Sequence, residues 1–384
     1  MGVWIFQGKI TALIYNRLFM PLKQDNDKLT QGLLSSMSKL RLVIVVLVIA
    51  LIAMPFIISC TNHADKSEEK VISKSASGDE SKKDLTVYWT APDVNCITDA
   101  KQKEQVEYGK ELIAHTAKYL GPNGSVLKIS NGMNCQNCHL QAGTAVFANN
   151  YGSVASLYPK FRARSGAIEN IYKRVNDCFE RSLNGKGLDT TGKEMQAIAA
   201  YIKFLGTNVE KGKKAKGSGF KDLAYLDRAV DPEKGKLVYT AKCQSCHQPN
   251  GEGVFNADKT EYTFPALWSK NSYNDGAGLY RISNIAKYVK YNMPQGTTYQ
   301  SPQLSDEEAW DVAAFINSQP RPHIAVPKDW PDKAKKPVDH PFGPYADNFT
   351  EKQHKYGPFK PIADEQKKRE LAEKEAKEKT VLKK

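Results

Sequence analysis

CQNCH at residues 135–139 decides how this chain is read, because the same pattern returns as CQSCH at residues 243–247. Two thiols three positions apart can each form a thioether to a haem vinyl group, and the next residue, a His, reaches the iron. Cys135, Cys138 and His139 therefore read as one covalent haem c site, and Cys243, Cys246 and His247 as a second. The competing readings are a zinc site split over two knuckles, or disulfide-prone pairs. Zinc knuckles lie far closer together than the 108 positions between Cys135 and Cys243, and zinc requires no repeated His after each pair.

Each haem iron has a sixth position, and an internal comparison locates its candidates. After the second motif come Asn292-Met293-Pro294, then Ser305 to Glu308, then a closing helix through Ala309 to Asn317. After the first come Asp177-Cys178-Phe179, then Thr191 to Glu194, then a closing helix from Met195 to Leu205. Both openings have the form of a capping box, a hydroxyl residue followed three positions later by Glu. Both helices carry Ala-Ala-aromatic-Ile, at residues 199–202 and 313–316; Cys178 lies 21 positions before its tetrad and Met293 lies 20 before its own. The chain is thus two repeats of one mainly helical design. Met293 is the expected distal ligand of the second iron, the alternative being core filler. Cys178 is its counterpart in the first, as a thiolate ligand or as a small buried hydrophobe. Arg174 four residues before it, with Arg181 three and Ser182 four after it, shares its helical face and argues for the ligand.

A length of 384 residues with 41% hydrophobic content suits two modest cores, and a formal charge of +13 favours anions without choosing among them. From Leu42 to Ile58 the chain is apolar, preceded by Lys39 and Arg41 and followed by Ser59-Cys60. That pattern is a secretory signal ending in a lipobox-like sequence, with Cys60 as a lipidated first mature residue, or else a short uncleaved anchor helix. Met37 is then a plausible start. Both readings export the chain to the periplasm, tethered to the membrane. The expected organisation is an upstream extension and anchor at 1–60, a tether at 61–87, a first cytochrome c domain at 88–210, and a flexible basic linker at 211–225. A second cytochrome c domain follows at 226–320, then an extended Pro-rich segment and charged tail at 321–384.

The stretch IYKRVNDCFERSLNG (171–185), the run FPALWSKNSYNDGAGLYR (264–281) with NMPQG (292–296), and KPVDHPFGPYADNF (336–349) with HKYGPF (354–359) closely resemble the di-haem thiosulfate dehydrogenases, which also act as tetrathionate reductases. The resemblance covers roughly residues 88–362. It implies two fused class I cytochrome c domains, a His139/Cys178 first haem as active site, and a His247/Met293 second haem as relay. It further implies that Arg164 and Arg174 line the substrate pocket, with Arg181 and Ser182 in the same motif. Some members carry Lys beside the distal Met; here Asn292 stands there, so the resemblance does not extend to a Lys/Met exchange of ligand.

Two functions remain open from sequence. One is an exported enzyme interconverting thiosulfate and tetrathionate; the other is a passive carrier in which Cys178 tunes a potential. A small cytochrome c type protein or a quinone-linked carrier would be the redox partner. Nucleic acid finds no support beyond net charge. His115 is expected in a helix as a surface or core residue, and Cys96 has no derived role.

Overall fold

The computed structural model describes residues 87–381, so the anchor segment, Cys60 and most of the tether lie outside the described residues. Helices dominate. Among the described residues the strands form only two antiparallel hairpins, β1 (Lys160–Arg162) with β2 (Ala167–Glu169) and β3 (Val254–Phe255) with β4 (Tyr262–Phe264). No described helix is long and apolar enough to cross a membrane.

The two-repeat reading has a direct structural counterpart. The first repeat contains α1 (Ala100–Ala114), α2 (Thr116–Leu120), α3 (Ile171–Arg181) and α4 (Lys193–Leu205); the second contains α5 (Pro232–Lys242), α6 (Ile282–Asn292) and α7 (Asp306–Ser318). In each, the leading helix crosses the closing helix at a glycine. A Cβ on Gly109 would lie 2.0 Å from the Ala197 carbonyl oxygen and 2.8 Å from Tyr201 Cβ. On Gly235 it would lie 1.9 Å from the Asp311 carbonyl oxygen and 2.9 Å from Phe315 Cβ. Tyr201 and Phe315 are the aromatic members of the repeated tetrads, so the tetrads mark where two backbones touch. Leu112, Ile113, Met195 and Ile198 fill the first core, and Tyr239, Trp310, Ile316 and Phe359 fill the second.

The helix ends are set locally. Asp99 accepts from Gln102 N, and Asp231 accepts from Glu233 N ahead of a helix with Pro232 in its first turn, each satisfying an otherwise orphaned N–H. Ser305 and Glu308 form the expected capping box. Thr191 and Glu194 do not. The helix starts at Lys193 with Gly192 as its cap, which puts Glu194 too close to the end to reach back. Glu194 accepts instead from the Tyr108 hydroxyl at 3.1 Å, and the Thr191 hydroxyl donates to Asp189 at 2.9 Å.

The basic linker is pinned rather than flexible. Gly212 N donates to Ser156 O (2.9 Å), Ser156 Oγ to Lys213 O (2.7 Å), Phe147 N to Gly217 O (2.7 Å) and Asn149 N to Gly219 O (3.0 Å), with Ala215 buried. Backbone pairing with the first repeat outweighs the solvation that its lysines suggest. Elements of the second repeat also enter the first. Tyr262 and Phe255, stacked at 3.8 Å, join the first core, while Glu261 accepts from Asn134 Nδ2 and meets the His115 ring, both at 3.0 Å. His115 itself sits at the break between α1 and α2. Beyond Pro320 the chain runs extended over the molecule, bonding Ser269, Asp275 and Arg164 through backbone groups. It ends in α8 (Glu351–Tyr356) and α9 (Lys360–Val381).

Candidate active site

The first haem motif hangs from the α1–α2 break. Cys135 N donates to the buried Thr116 hydroxyl (3.0 Å), Ala117 N donates to Asn134 Oδ1 (2.8 Å), and Gln136 Nε2 donates to Ala114 O (2.6 Å). His139 stacks on Tyr151 at 4.4 Å and donates through Nδ1 to Asn149 O at 2.5 Å. That bond fixes the tautomer and leaves Nε2 with the lone pair a metal needs. Burial pushes His139 down to about 4 against the pull of that bond, so the ring is neutral at physiological pH. His247 repeats the arrangement, its Nδ1 donating to Pro265 O at 2.8 Å.

A cavity of about 240 Å³ opens beside the first motif, lined by Cys135, Cys138, His139 and, from α3 and its C-cap, Arg174, Cys178 and Ser182. Protein interiors pack without voids of this size. A space bounded by Ile113, Val154, Val175, Phe179 and Ile198 that also holds two thiols, a committed imidazole and a third thiol has the donor set and apolar lining of a haem c pocket. The cysteines and His139 of this chain therefore fit the group. Cys178 lines that cavity together with the attachment motif. Arg174 Nη1 lies 3.2 Å from its Sγ. The charge of Cys178 is the largest influence on Arg174, holding its guanidinium above the ordinary range against burial.

The remaining arginines divide. Arg181 faces away from the cavity: it forks onto Asp329 of the C-terminal segment through Nη1 and Nη2, both at 2.8 Å, and its Nη1 also donates to Gly276 O. Arg164 sits in the turn of the first hairpin over the Trp330 ring, with Nε 4.0 Å from Asp329, and does not line the cavity. Burial and the charges of Arg181 and Arg174 pull it down to about 10, still protonated at neutral pH. Arg162, which the sequence reading passed over, does line the cavity, as does Tyr158. Only the alternation of side chains along a short strand could have singled it out, and three residues are too few to read that register from sequence.

A second cavity of about 440 Å³ is lined by Cys243, Cys246, His247 and Met293, the last at the C-cap of α6. Cys138, Met133 and Asn134 line both cavities. Tyr288 of the second repeat donates to Asn137 O at 2.7 Å, so the first attachment loop forms a wall of the second pocket. Asn292 is buried, with its amide turned to Tyr288 O (3.1 Å) and Phe147 O (3.4 Å), and it is absent from that lining.

Two family models match along the chain: the SoxA/TsdA cytochrome c domain over residues 127–210 and cytochrome c over residues 232–320. The two repeats are therefore cytochrome c domains, and the cofactors are two covalently bound c-type haems. A thiosulfate dehydrogenase of Psychrobacter arcticus is 38% identical over 244 residues, 63% of this chain and 71% of that protein. The chain belongs to the thiosulfate dehydrogenase family. The thiosulfate dehydrogenase of Allochromatium vinosum is 35% identical over 246 residues, 63% of this chain and 87% of its own length. Among solved structures, the thiosulfate dehydrogenase TsdBA of Marichromatium purpuratum in its as-isolated form is similar, with a TM-score of 0.56 at 29% identity. That match spans 61% of this chain and half, 50%, of that one.

Proposed function

We propose that this protein is an exported, membrane-tethered oxidoreductase that joins two thiosulfate ions into tetrathionate at the first haem, passes two electrons through the second, and can run in reverse. The observation that carries the reading is Cys178, with Arg174 at 3.2 Å, lining the same cavity as Cys135, Cys138 and His139. When bound, the haems supply one-electron acceptors, the first at low potential through His139 and Cys178 and the second at higher potential through His247 and Met293.

The residues of the chain do the rest. Arg174 offers a permanently charged planar fork to an oxyanion and stabilises the Cys178 thiolate before reaction. Cys178 forms a sulfur–sulfur bond with the sulfane sulfur of one thiosulfate, the two electrons released passing to the two one-electron acceptors the haems would supply, to give a Cys–S–S–SO3⁻ adduct. The sulfane sulfur of a second thiosulfate attacks that sulfur, forming tetrathionate and returning Cys178 as thiolate. No proton is required in either step, so no general base need be found. The shared Cys138 wall supports a short route for electrons from the first site to the second. A cytochrome c type protein or a quinone-linked carrier would then collect them.

The test is purified holoprotein assayed with thiosulfate and an artificial acceptor, and with tetrathionate and a donor. The reading expects turnover, a ferric spectrum with a sulfur ligand on the first iron, and a mass increment on Cys178 after thiosulfate treatment. Cys178→Met should stay folded and haem-loaded with little activity. Full turnover by Cys178→Ser would end the covalent scheme, and a wild type inert in both directions would leave a two-haem carrier.

A further inference from the structure

The hairpin formed by β1 and β2 carries a charge pair that neither the family motif nor the sequence reading assigns. Phe161 pairs with Ile168, and both point outward, 60% and 74% exposed. The pleat therefore turns Arg162 and Glu169 to the opposite, inner face, where they are diagonal neighbours. Arg162 Nε lies 4.0 Å from Glu169 Oε2. Glu169 is 4% exposed, and its Oε2 is buried without a hydrogen-bond partner. Arg162 reaches the cavity that holds Arg174, Cys178 and Ser182, whereas Arg164 and Arg181 converge on Asp329.

We propose that Arg162, positioned by Glu169, is a substrate-binding residue that takes the sulfonate oxygens of thiosulfate while Arg174 stays with the Cys178 sulfur. This rests on the reading of the cavity as the thiosulfate site. The argument is one of available charge. A dianion entering the cavity needs guanidinium groups not already neutralised, and of the four arginines at residues 162, 164, 174 and 181, only Arg162 and Arg174 line it. Arg174 is already engaged by Cys178. Arg162 is held loosely, at 4.0 Å, by a carboxylate that fixes its direction without closing its fork. A second arginine is also what places the sulfane sulfur: with the sulfonate anchored on Arg162, the other end of the ion is directed to Cys178 and bond formation becomes local.

The experiment uses the full di-haem protein as wild type, Arg162→Gln and Arg162→Lys. It reads three quantities: KM and kcat for thiosulfate, calorimetric Kd for sulfate as a non-oxidisable oxyanion, and the reduction potentials of both haems. The expected result is a rise of about tenfold or more in both KM and sulfate Kd for Arg162→Gln. A smaller rise is expected for Arg162→Lys, which keeps the charge and loses the fork, with both potentials unchanged. Wild-type KM and Kd in Arg162→Gln would overturn the assignment, as would shifted potentials, which would make the effect one of haem packing. If the wild type fails to oxidise thiosulfate while sulfate binding still weakens in Arg162→Gln, the thiosulfate reading falls and the oxyanion site stands.

Discussion

Replacing Asp329 with Asn tests whether the C-terminal segment is part of the first cytochrome c domain's charge structure. Asp329 is the shared carboxylate of Arg181, through two bonds of 2.8 Å, and of Arg164, at 4.0 Å. The three side chains are 15%, 11% and 18% exposed, so water compensates little for a lost partner. An Asn side chain keeps one acceptor but turns an NH2 toward the second arm of the Arg181 fork. Removing one member of a buried ion pair costs about 3–5 kcal/mol, and the residual exposure here favours the lower end, about 3 kcal/mol. For a protein of this size that corresponds to a Tm lower by roughly 4–5 °C. Thermal unfolding of the holoprotein followed by circular dichroism measures it, and a cycle with Arg181→Gln isolates the pair, whose coupling should be about 1–3 kcal/mol. A Tm within about 2 °C of wild type, or strictly additive single substitutions, would refute the assignment of Asp329 as a structural counter-charge.

Three further outcomes are expected. Burial is the largest single influence on Asp339 and opposes its charge, yet Arg281 at 2.6 Å and the Ser283 hydroxyl and N–H together hold its carboxyl below the ordinary range. Because the folded pKa lies under the unfolded value of about 3.9, its contribution is complete above that value and is lost as pH falls through the folded one. Urea unfolding from about pH 4 downward should therefore show a steeper fall in wild type than in Asp339→Asn, and parallel curves would count against it. Gly109→Ala drives a methyl into the Ala197 carbonyl and should destabilise the first repeat by about 1–3 kcal/mol, read by denaturant midpoint; a neutral effect would deny the close helix crossing. Met293→Ala should lower the potential of the second haem and open it to added imidazole, both followed by absorbance; an unchanged potential would remove Met293 as ligand.

How far the sequence reached depends on the range of each interaction. The attachment motifs, the repeated tetrads and the positions of Cys178 and Met293 were legible because each is fixed by spacing along a helix or across one repeat. The capping box at Thr191 was misread because a shift of one residue in the helix start removes it, and nothing local forbids that shift. The linker looked flexible because its side chains are polar, whereas its order comes from backbone groups, which sequence does not display. Asp329 and Glu169 were invisible for a third reason. Each meets its arginine through the path of an extended segment or the register of a three-residue strand, and neither leaves a periodic trace.

The division of the arginines bears on the order of events at the site. On the proposed chemistry, Arg174, 3.2 Å from Cys178 Sγ, cannot give its full charge to a substrate while that sulfur is a thiolate, and the cavity then presents chiefly Arg162 to a first thiosulfate. On the proposed chemistry, forming the sulfur–sulfur bond removes the negative charge of Cys178. Arg174 is thereby released at the moment a second dianion must approach one already bound. The pairing that stabilises the nucleophile thus becomes, after the first bond forms, the attraction that offsets repulsion between the two anions. A Lys at residue 174 would keep the charge but hold it as a compact point on a flexible stem, and should slow the second step more than the first. Trapped adduct on Cys178 should then accumulate in Arg174→Lys relative to wild type under limiting thiosulfate, while loss of adduct in that variant would place the role of Arg174 before bond formation instead.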